Sequence, residues 1–129
     1  MRSDAFRAAA EAKDFSQVDE LFAADATFRS PVVFRPYEDR AAIKLLLEAV
    51  AQVFEDFRYT GQVETGDTAV LVFAARVGER ELEGVDILRF GPDGTVIEMT
   101  VMVRPLSGMH ALAERMREML EAAGSAPAA

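Results

Sequence analysis

The chain has 129 residues and a mass of 14.1 kDa, which is the size of one domain and leaves no room for a second core. Half of its residues are hydrophobic, and its formal net charge is −8. A surface with this excess of negative charge repels phosphate, which argues against binding to nucleic acids or to anionic membranes. Cysteine is absent, which excludes disulfides and cysteine nucleophiles. The N-terminus lacks the apolar stretch of a signal peptide, and we therefore expect a cytoplasmic protein.

The first part of the chain predicts three helices and one short strand. Ser3 and Ser16 stand where serine hydroxyls commonly cap the first turn of a helix. A strand is predicted over Thr27 to Ser30 and ends at Pro31. A longer helix is predicted to begin near Asp39, because apolar residues then recur every three to four positions, at Ile43, Leu46, Val50, Val53, Phe54 and Phe57.

The second part has the two-residue period of β-strands. Four strands are predicted over 57–64, 69–77, 81–90 and 96–104, and their short turns predict an antiparallel meander. A final helix is predicted after Pro105. Residues 1–123 then form a single domain, and the segment 124–129 is predicted to be a disordered tail. The order ααβαββββα predicts an α+β fold with a curved antiparallel sheet packed on helices.

The strand over 81–90 carries a carboxylate on its apolar face. By two-residue alternation, Asp86 shares that face with Leu82, Gly84, Leu88 and Phe90. A carboxylate there loses hydration, which raises its pKa, and a protonated carboxyl can donate a hydrogen bond. Two interpretations stay open. Asp86 is either a pocket group with space beside it at Gly84, or a core residue bonded to a hydroxyl, a backbone amide or an arginine such as Arg40 or Arg76.

Two segments carry a resemblance to a known superfamily. LFAADATFRSPV (residues 21–32) and GVDILRFGPDGTVIEM (residues 84–99), with their spacing and the order of elements, resemble the ketosteroid isomerase branch of the nuclear-transport-factor-2-like (NTF2-like) superfamily. The resemblance covers about Phe6 to Val103, and SnoaL-like polyketide cyclases are relatives of the same fold. It implies a cystatin-like, cone-shaped arrangement of sheet and helices around an apolar pocket that takes a small hydrophobic molecule.

The resemblance is partial at the positions that carry the isomerase chemistry. In those isomerases a strand aspartate abstracts a proton, while a helix tyrosine and a second, protonated aspartate form the oxyanion hole. Asp86 takes the position of that second aspartate, but Ser30 stands at the base position and Phe6 at the tyrosine position. A serine is no carboxylate base at neutral pH, so ordinary ketosteroid isomerase activity is not expected. Asp86 and Ser30 remain the catalytic candidates.

Other residues are candidates for the pocket wall or for separate roles. We expect Tyr37 in the loop after the first strand to contact a ligand, and Tyr59 to line the wall. His110 is the only histidine, and its place near the start of the last helix favours a solvated or capping role over a pocket role. One histidine and no cysteine predict no metal and no cofactor. The full set of predicted ligand contacts is Phe6, Phe28, Tyr37, Tyr59, Leu88, Met99, Val101 and Val103.

The outer face of the predicted sheet is also apolar, at Val96, Thr100 and Met102. Such a face needs cover, and a homodimer packed sheet on sheet provides it. Three functions stay open. The chain is a cofactor-independent isomerase, cyclase or dehydratase that uses Asp86, or a non-catalytic binder of a small carbonyl- or phenol-bearing molecule, or a dimeric interaction module whose vestigial pocket is filled by its own side chains.

Overall fold

The computed structural model describes residues 1–124 and confirms the predicted order of elements. The elements are α1 (Asp4–Ala12), α2 (Val18–Leu21), β1 (Phe22–Arg29), α3 (Arg40–Val53), β2 (Glu55–Thr65), β3 (Thr68–Val77), β4 (Arg80–Phe90), β5 (Val96–Arg104) and α4 (Leu106–Ala122). Apart from Gly124, the predicted tail lies outside the described residues. Within residues 1–124, no helix is long and apolar enough to cross a membrane.

The five strands form one sheet in the order β1-β5-β4-β3-β2. Strands β2 to β5 are the predicted antiparallel meander, in which each strand pairs with the next along the chain. Strand β1 joins the edge of β5 in parallel, so the sheet is mixed rather than wholly antiparallel. The reason is that α3 separates β1 from the meander and allows it to run in the same direction as β5.

Of the three predicted helix caps, the one at Asp39 is correct and those at Ser3 and Ser16 are wrong. Asp39 caps α3, because its side chain accepts a hydrogen bond from the Ala41 backbone N–H at 2.9 Å. Ser3 does not cap α1 with its side chain. Instead, its backbone N–H and its hydroxyl both donate to the Glu64 carboxylate of β2. Ser16 precedes the N-cap position of α2 and makes no cap there.

β-Bulges change which side chains face the helices. In β2 the register shifts between Tyr59 and Gly61, so Tyr59 stays on the inner face while Val63 turns outward and is 65% exposed. A second shift, next to Phe90, brings Val96 into the core, where simple alternation predicts the outer face. Each bulge adds one residue to one strand, and this reverses the alternation beyond that point.

Strand β4 keeps the predicted alternation and carries Asp86 on the buried face. The prediction of free space beside it at Gly84 is wrong. The ring of Phe73, on the paired residue of β3, lies against Gly84 and occupies the space that a side chain would take. Gly84 therefore allows a buried aromatic ring to pack on the sheet and adds no room for a ligand.

Candidate functional site

A cavity lies between the inner face of the sheet and helices α1, α3 and α4. Its volume is about 90 Å³. One water molecule needs about 10–15 Å³ of such space, so there is room for several waters or for a small molecule. The lining is apolar apart from the four side chains of Lys13, Ser30, Tyr59 and Asp86.

Seven of the ten predicted site residues line this cavity together. They are Phe6, Phe28, Ser30, Tyr59, Asp86, Met99 and Val101. The other three lie elsewhere. Tyr37 and Val103 line two separate surface depressions, and Leu88 is fully buried in the core.

Asp86 and Tyr59 form a buried hydrogen-bonded pair. Asp86 is 5% exposed, and the Tyr59 hydroxyl on β2 reaches across β3 to donate to its Oδ2 atom at 2.7 Å. Loss of hydration raises the pKa of Asp86 to about 7, although the hydrogen bond from Tyr59 lowers it in part. Near neutral pH the carboxyl therefore exists in both its neutral and its ionised form. Asp86 can then act as an acid or as a base.

The same surroundings keep the Tyr59 hydroxyl protonated. Burial is the largest cause of the rise in the pKa of Tyr59 above its ordinary value, followed by the nearby negative charge of Asp86. The Arg7 guanidinium lies over the Tyr59 ring, 5.5 Å from its centre, and the Phe57 ring is nearly perpendicular to the Tyr59 ring, with the two ring centres 4.9 Å apart. Tyr59 is thus a hydrogen-bond donor with a fixed orientation.

The arginines considered as partners of Asp86 bind other groups. Arg40 pairs with Asp19, and Arg76 pairs with two exposed carboxylates at the start of β2. The observed partner is a hydroxyl, which was one of the open alternatives. Since no cation of residues 1–124 forms an ion pair with Asp86, its negative form has only the Tyr59 hydrogen bond to stabilise it.

The resemblance assigns Ser30 and Phe6 to the positions of the isomerase base and tyrosine, and neither side chain supplies those groups here. The Ser30 oxygen accepts a hydrogen bond from the Val32 backbone N–H at 3.0 Å, within the turn after β1. Phe6 is buried, and its ring packs against Phe15 and Phe22. The cavity therefore has a tyrosine donor, but it comes from β2 instead of α1.

The remaining polar candidates do not join this group. His110 is exposed on α4 and lines a surface depression outside the cavity. In the described part of the chain, no group of three or more His, Asp or Glu residues is placed to hold a metal ion. Sequence reasoning missed Lys13, whose side chain lines the cavity although the residue is exposed at the end of α1.

Comparisons with known proteins identify the family and the fold. Residues 4–99 match the model of the SnoaL-like domain, and the chain belongs to the SnoaL-like family. It is 40% identical to the structure of a steroid delta-isomerase from Pseudomonas aeruginosa, with a TM-score of 0.91 over 95% of this chain and 90% of the other. A search of the curated proteins finds no match.

Two further structures share the fold. An uncharacterized bacterial protein with a cystatin-like fold from Silicibacter pomeroyi is 28% identical, with a TM-score of 0.86 over 90% of this chain and 82% of the other. An NTF2-like protein of unknown function from Mesorhizobium loti is 20% identical, with a TM-score of 0.72 over 81% of this chain and 88% of the other. These likenesses confirm the cystatin-like, NTF2-like fold predicted from the sequence.

Proposed function

We propose that the chain is a cytoplasmic protein that binds a small apolar molecule in the cavity and holds its carbonyl or phenol oxygen at Tyr59 and Asp86. The observation that carries the proposal is the 2.7 Å hydrogen bond between these two side chains in an otherwise apolar lining. A neutral Asp86 carboxyl can donate a hydrogen bond from one of its oxygens to the ligand oxygen, while its other oxygen, Oδ2, accepts the hydrogen bond from Tyr59. Such hydrogen bonds are stronger away from water, and the apolar lining supplies that environment.

A second candidate function is proton transfer on a carbonyl compound, as an isomerase, cyclase or dehydratase without a cofactor. It is favoured by the pKa of Asp86 near 7, because such a group can accept and return a proton at neutral pH. The ionised carboxylate takes a proton from the carbon next to the carbonyl, an enolate forms, and the carboxyl returns the proton to another carbon. Ser30 has no comparable basicity, so both proton steps fall to Asp86.

The binding proposal is tested with 2-naphthol, an apolar phenol, by isothermal titration calorimetry. We expect saturable binding to the wild type and affinity about tenfold lower in Tyr59→Phe, because Asp86 then loses the hydrogen bond that orients it and a misaligned hydrogen bond to the ligand costs about 1.4 kcal/mol. Tyr37→Phe is the matched control, because Tyr37 is the only other tyrosine and lies outside the cavity lining. Equal affinity in the wild type and both variants, or no saturable binding to the wild type, contradicts the proposal.

A second arm of the same test separates an enzyme from a binder. The wild type and Asp86→Asn are incubated with 1-tetralone, a small apolar ketone, in deuterated water, and deuterium next to the ketone is measured by mass spectrometry. We expect incorporation above the uncatalysed rate with the wild type only, because asparagine cannot accept the proton. Binding without incorporation rejects the enzyme and leaves the binder.

We also propose a homodimer that packs the outer faces of two sheets together. Three large apolar side chains support this proposal, because Val63, Val72 and Met102 are 65%, 37% and 56% exposed on that face. Light scattering after size exclusion is expected to give twice the chain mass for the wild type and the chain mass for Val72→Glu. Ala41→Glu, which adds the same charge at an exposed residue of α3 on the opposite side of the sheet, is the control and should stay dimeric. A monomeric wild type contradicts the proposal.

A further inference from the structure

Among the described residues, Lys13 is the only cation that lines the cavity. It ends α1, and the residue is exposed, so the cavity reaches the surface beside it. Asp86, in contrast, is almost completely buried. The cavity therefore has a carboxyl group, Asp86, in its interior and the positive charge of Lys13 at its mouth. The rest of its lining is mainly apolar.

The backbone of Lys13 is in the left-handed conformation, with φ 56° and ψ 35°. This conformation costs a residue other than glycine about 1–2 kcal/mol, and glycine is the usual choice at the end of a helix. Non-glycine residues held in this region are often found where proteins clamp ligands. The end of a helix does not by itself require a lysine at this position. The contacts of the Lys13 side chain are therefore the more informative feature.

The Lys13 ammonium has donors to spare. Its Nζ atom donates to the Phe54 carbonyl oxygen at 3.2 Å, at the end of α3. An ammonium has three N–H donors, and the other two have no partner within residues 1–124. No carboxylate of the described chain lies within ion-pair distance of Lys13, although eight arginines form such pairs. Asp56 is near enough for the charge of Lys13 to contribute to lowering the pKa of its carboxyl, but Asp56 pairs with Arg76, and Lys13 at the cavity mouth forms no ion pair within residues 1–124.

We infer that Lys13 selects ligands that carry a carboxylate at the end opposite their carbonyl or phenol oxygen. This inference rests on the proposed function and narrows its ligand class to apolar hydroxy or keto acids. The interior end of the ligand meets Tyr59 and Asp86, and its carboxylate accepts hydrogen bonds from the two remaining donors of Lys13. The cation also attracts the acid to a protein surface that otherwise repels it.

The experiment uses two probes with the same ring system, 6-hydroxy-2-naphthoic acid, which is charged, and its methyl ester, which is uncharged and one methyl group larger. Calorimetry is carried out on the wild type, Lys13→Met, Lys13→Arg and Lys44→Met, which changes the only other lysine. We expect Lys13→Met to weaken the acid about five- to tenfold and the ester less than twofold, because methionine keeps the apolar stem but removes the charge. Lys13→Arg and Lys44→Met should keep the preference for the acid.

The two probes separate failure of this inference from failure of the proposed function. If the ester and the acid bind equally well to the wild type, or weaken equally in Lys13→Met, Lys13 only ties α1 to α3 and the inference is wrong, while the proposed function stands. If neither probe binds to the wild type, both fall. Added salt provides an independent readout. It should weaken binding of the acid to the wild type and leave binding of the ester unchanged.

Discussion

Asp86→Asn is expected to raise the free energy of unfolding by about 4 kcal/mol at pH 8 and to leave it nearly unchanged at pH 4. Burial raises the pKa of Asp86 from 3.8 to about 7, and each pKa unit corresponds to about 1.4 kcal/mol. Asparagine has almost the same shape and can still accept the hydrogen bond from Tyr59. It carries no charge at any pH, so the cost of burying a carboxylate disappears.

The direction of the pH dependence follows from proton binding. In the unfolded chain the carboxyl releases its proton near pH 4, whereas in the folded protein it holds the proton up to about pH 7. Between these values the folded state binds more protons, so wild-type stability falls as the pH rises. Above pH 7 both states are ionised and the loss is complete. The difference between Asp86→Asn and the wild type should therefore grow from pH 4 to pH 7 and then stay constant.

Urea unfolding followed by circular dichroism at pH 4, 6 and 8 measures this difference. Asp25→Asn is the control, because Asp25 is an exposed aspartate of β1 and its replacement should change stability little at each pH. A pH-independent difference between Asp86→Asn and the wild type would mean that the Asp86 carboxylate is hydrated or paired with a cation. In that case its role as an acid or base near neutral pH would also be lost.

The sequence predicts the order of elements because each element has its own local signal. Helix α3 has a regular apolar stripe and an aspartate at its N-cap, and the four-strand meander has alternation and turn residues. Local signals do not reveal β-bulges, since a bulge depends on how two strands pair. Simple alternation therefore places Val63 and Val96 on the wrong faces, because each lies beyond a register shift.

The sequence predicts only part of the site, because local signals do not reveal how the strands pair. Alternation alone places Asp86 on the buried face, but its partner Tyr59 is 27 positions away and two strands across the sheet. Finding that pair requires the register of β2, β3 and β4 together. Lys13 has no periodic signal, because it follows the last turn of α1 and its backbone is in the left-handed conformation, outside the helical repeat.

Gly84→Ala is expected to lower the free energy of unfolding by about 1–3 kcal/mol, the usual cost of overpacking a core. A Cβ atom at Gly84 would overlap the Met102 carbonyl oxygen and would lie 2.7 Å from the Phe73 ring. The Met102 carbonyl belongs to the backbone of β5, which pairs with β4 and cannot withdraw without disturbing those pairs. The Phe73 ring packs on Phe57, and Phe57 lines the cavity. Displacement of the Phe73 ring should therefore also shift Phe57 and weaken the binding of 2-naphthol.

Gly61→Ala is the matched control for this change. Gly61 also lies within a strand, but its added Cβ atom would meet only the Val72 side chain, at 3.8 Å, which is ordinary contact. Alanine relieves the entropic cost of a strand glycine at both positions, so the comparison isolates the steric clash. Urea unfolding should give a stability for Gly61→Ala equal to or slightly above that of the wild type. Equal stability of the two variants would show that Phe73 does not depend on Gly84 for its place against β4.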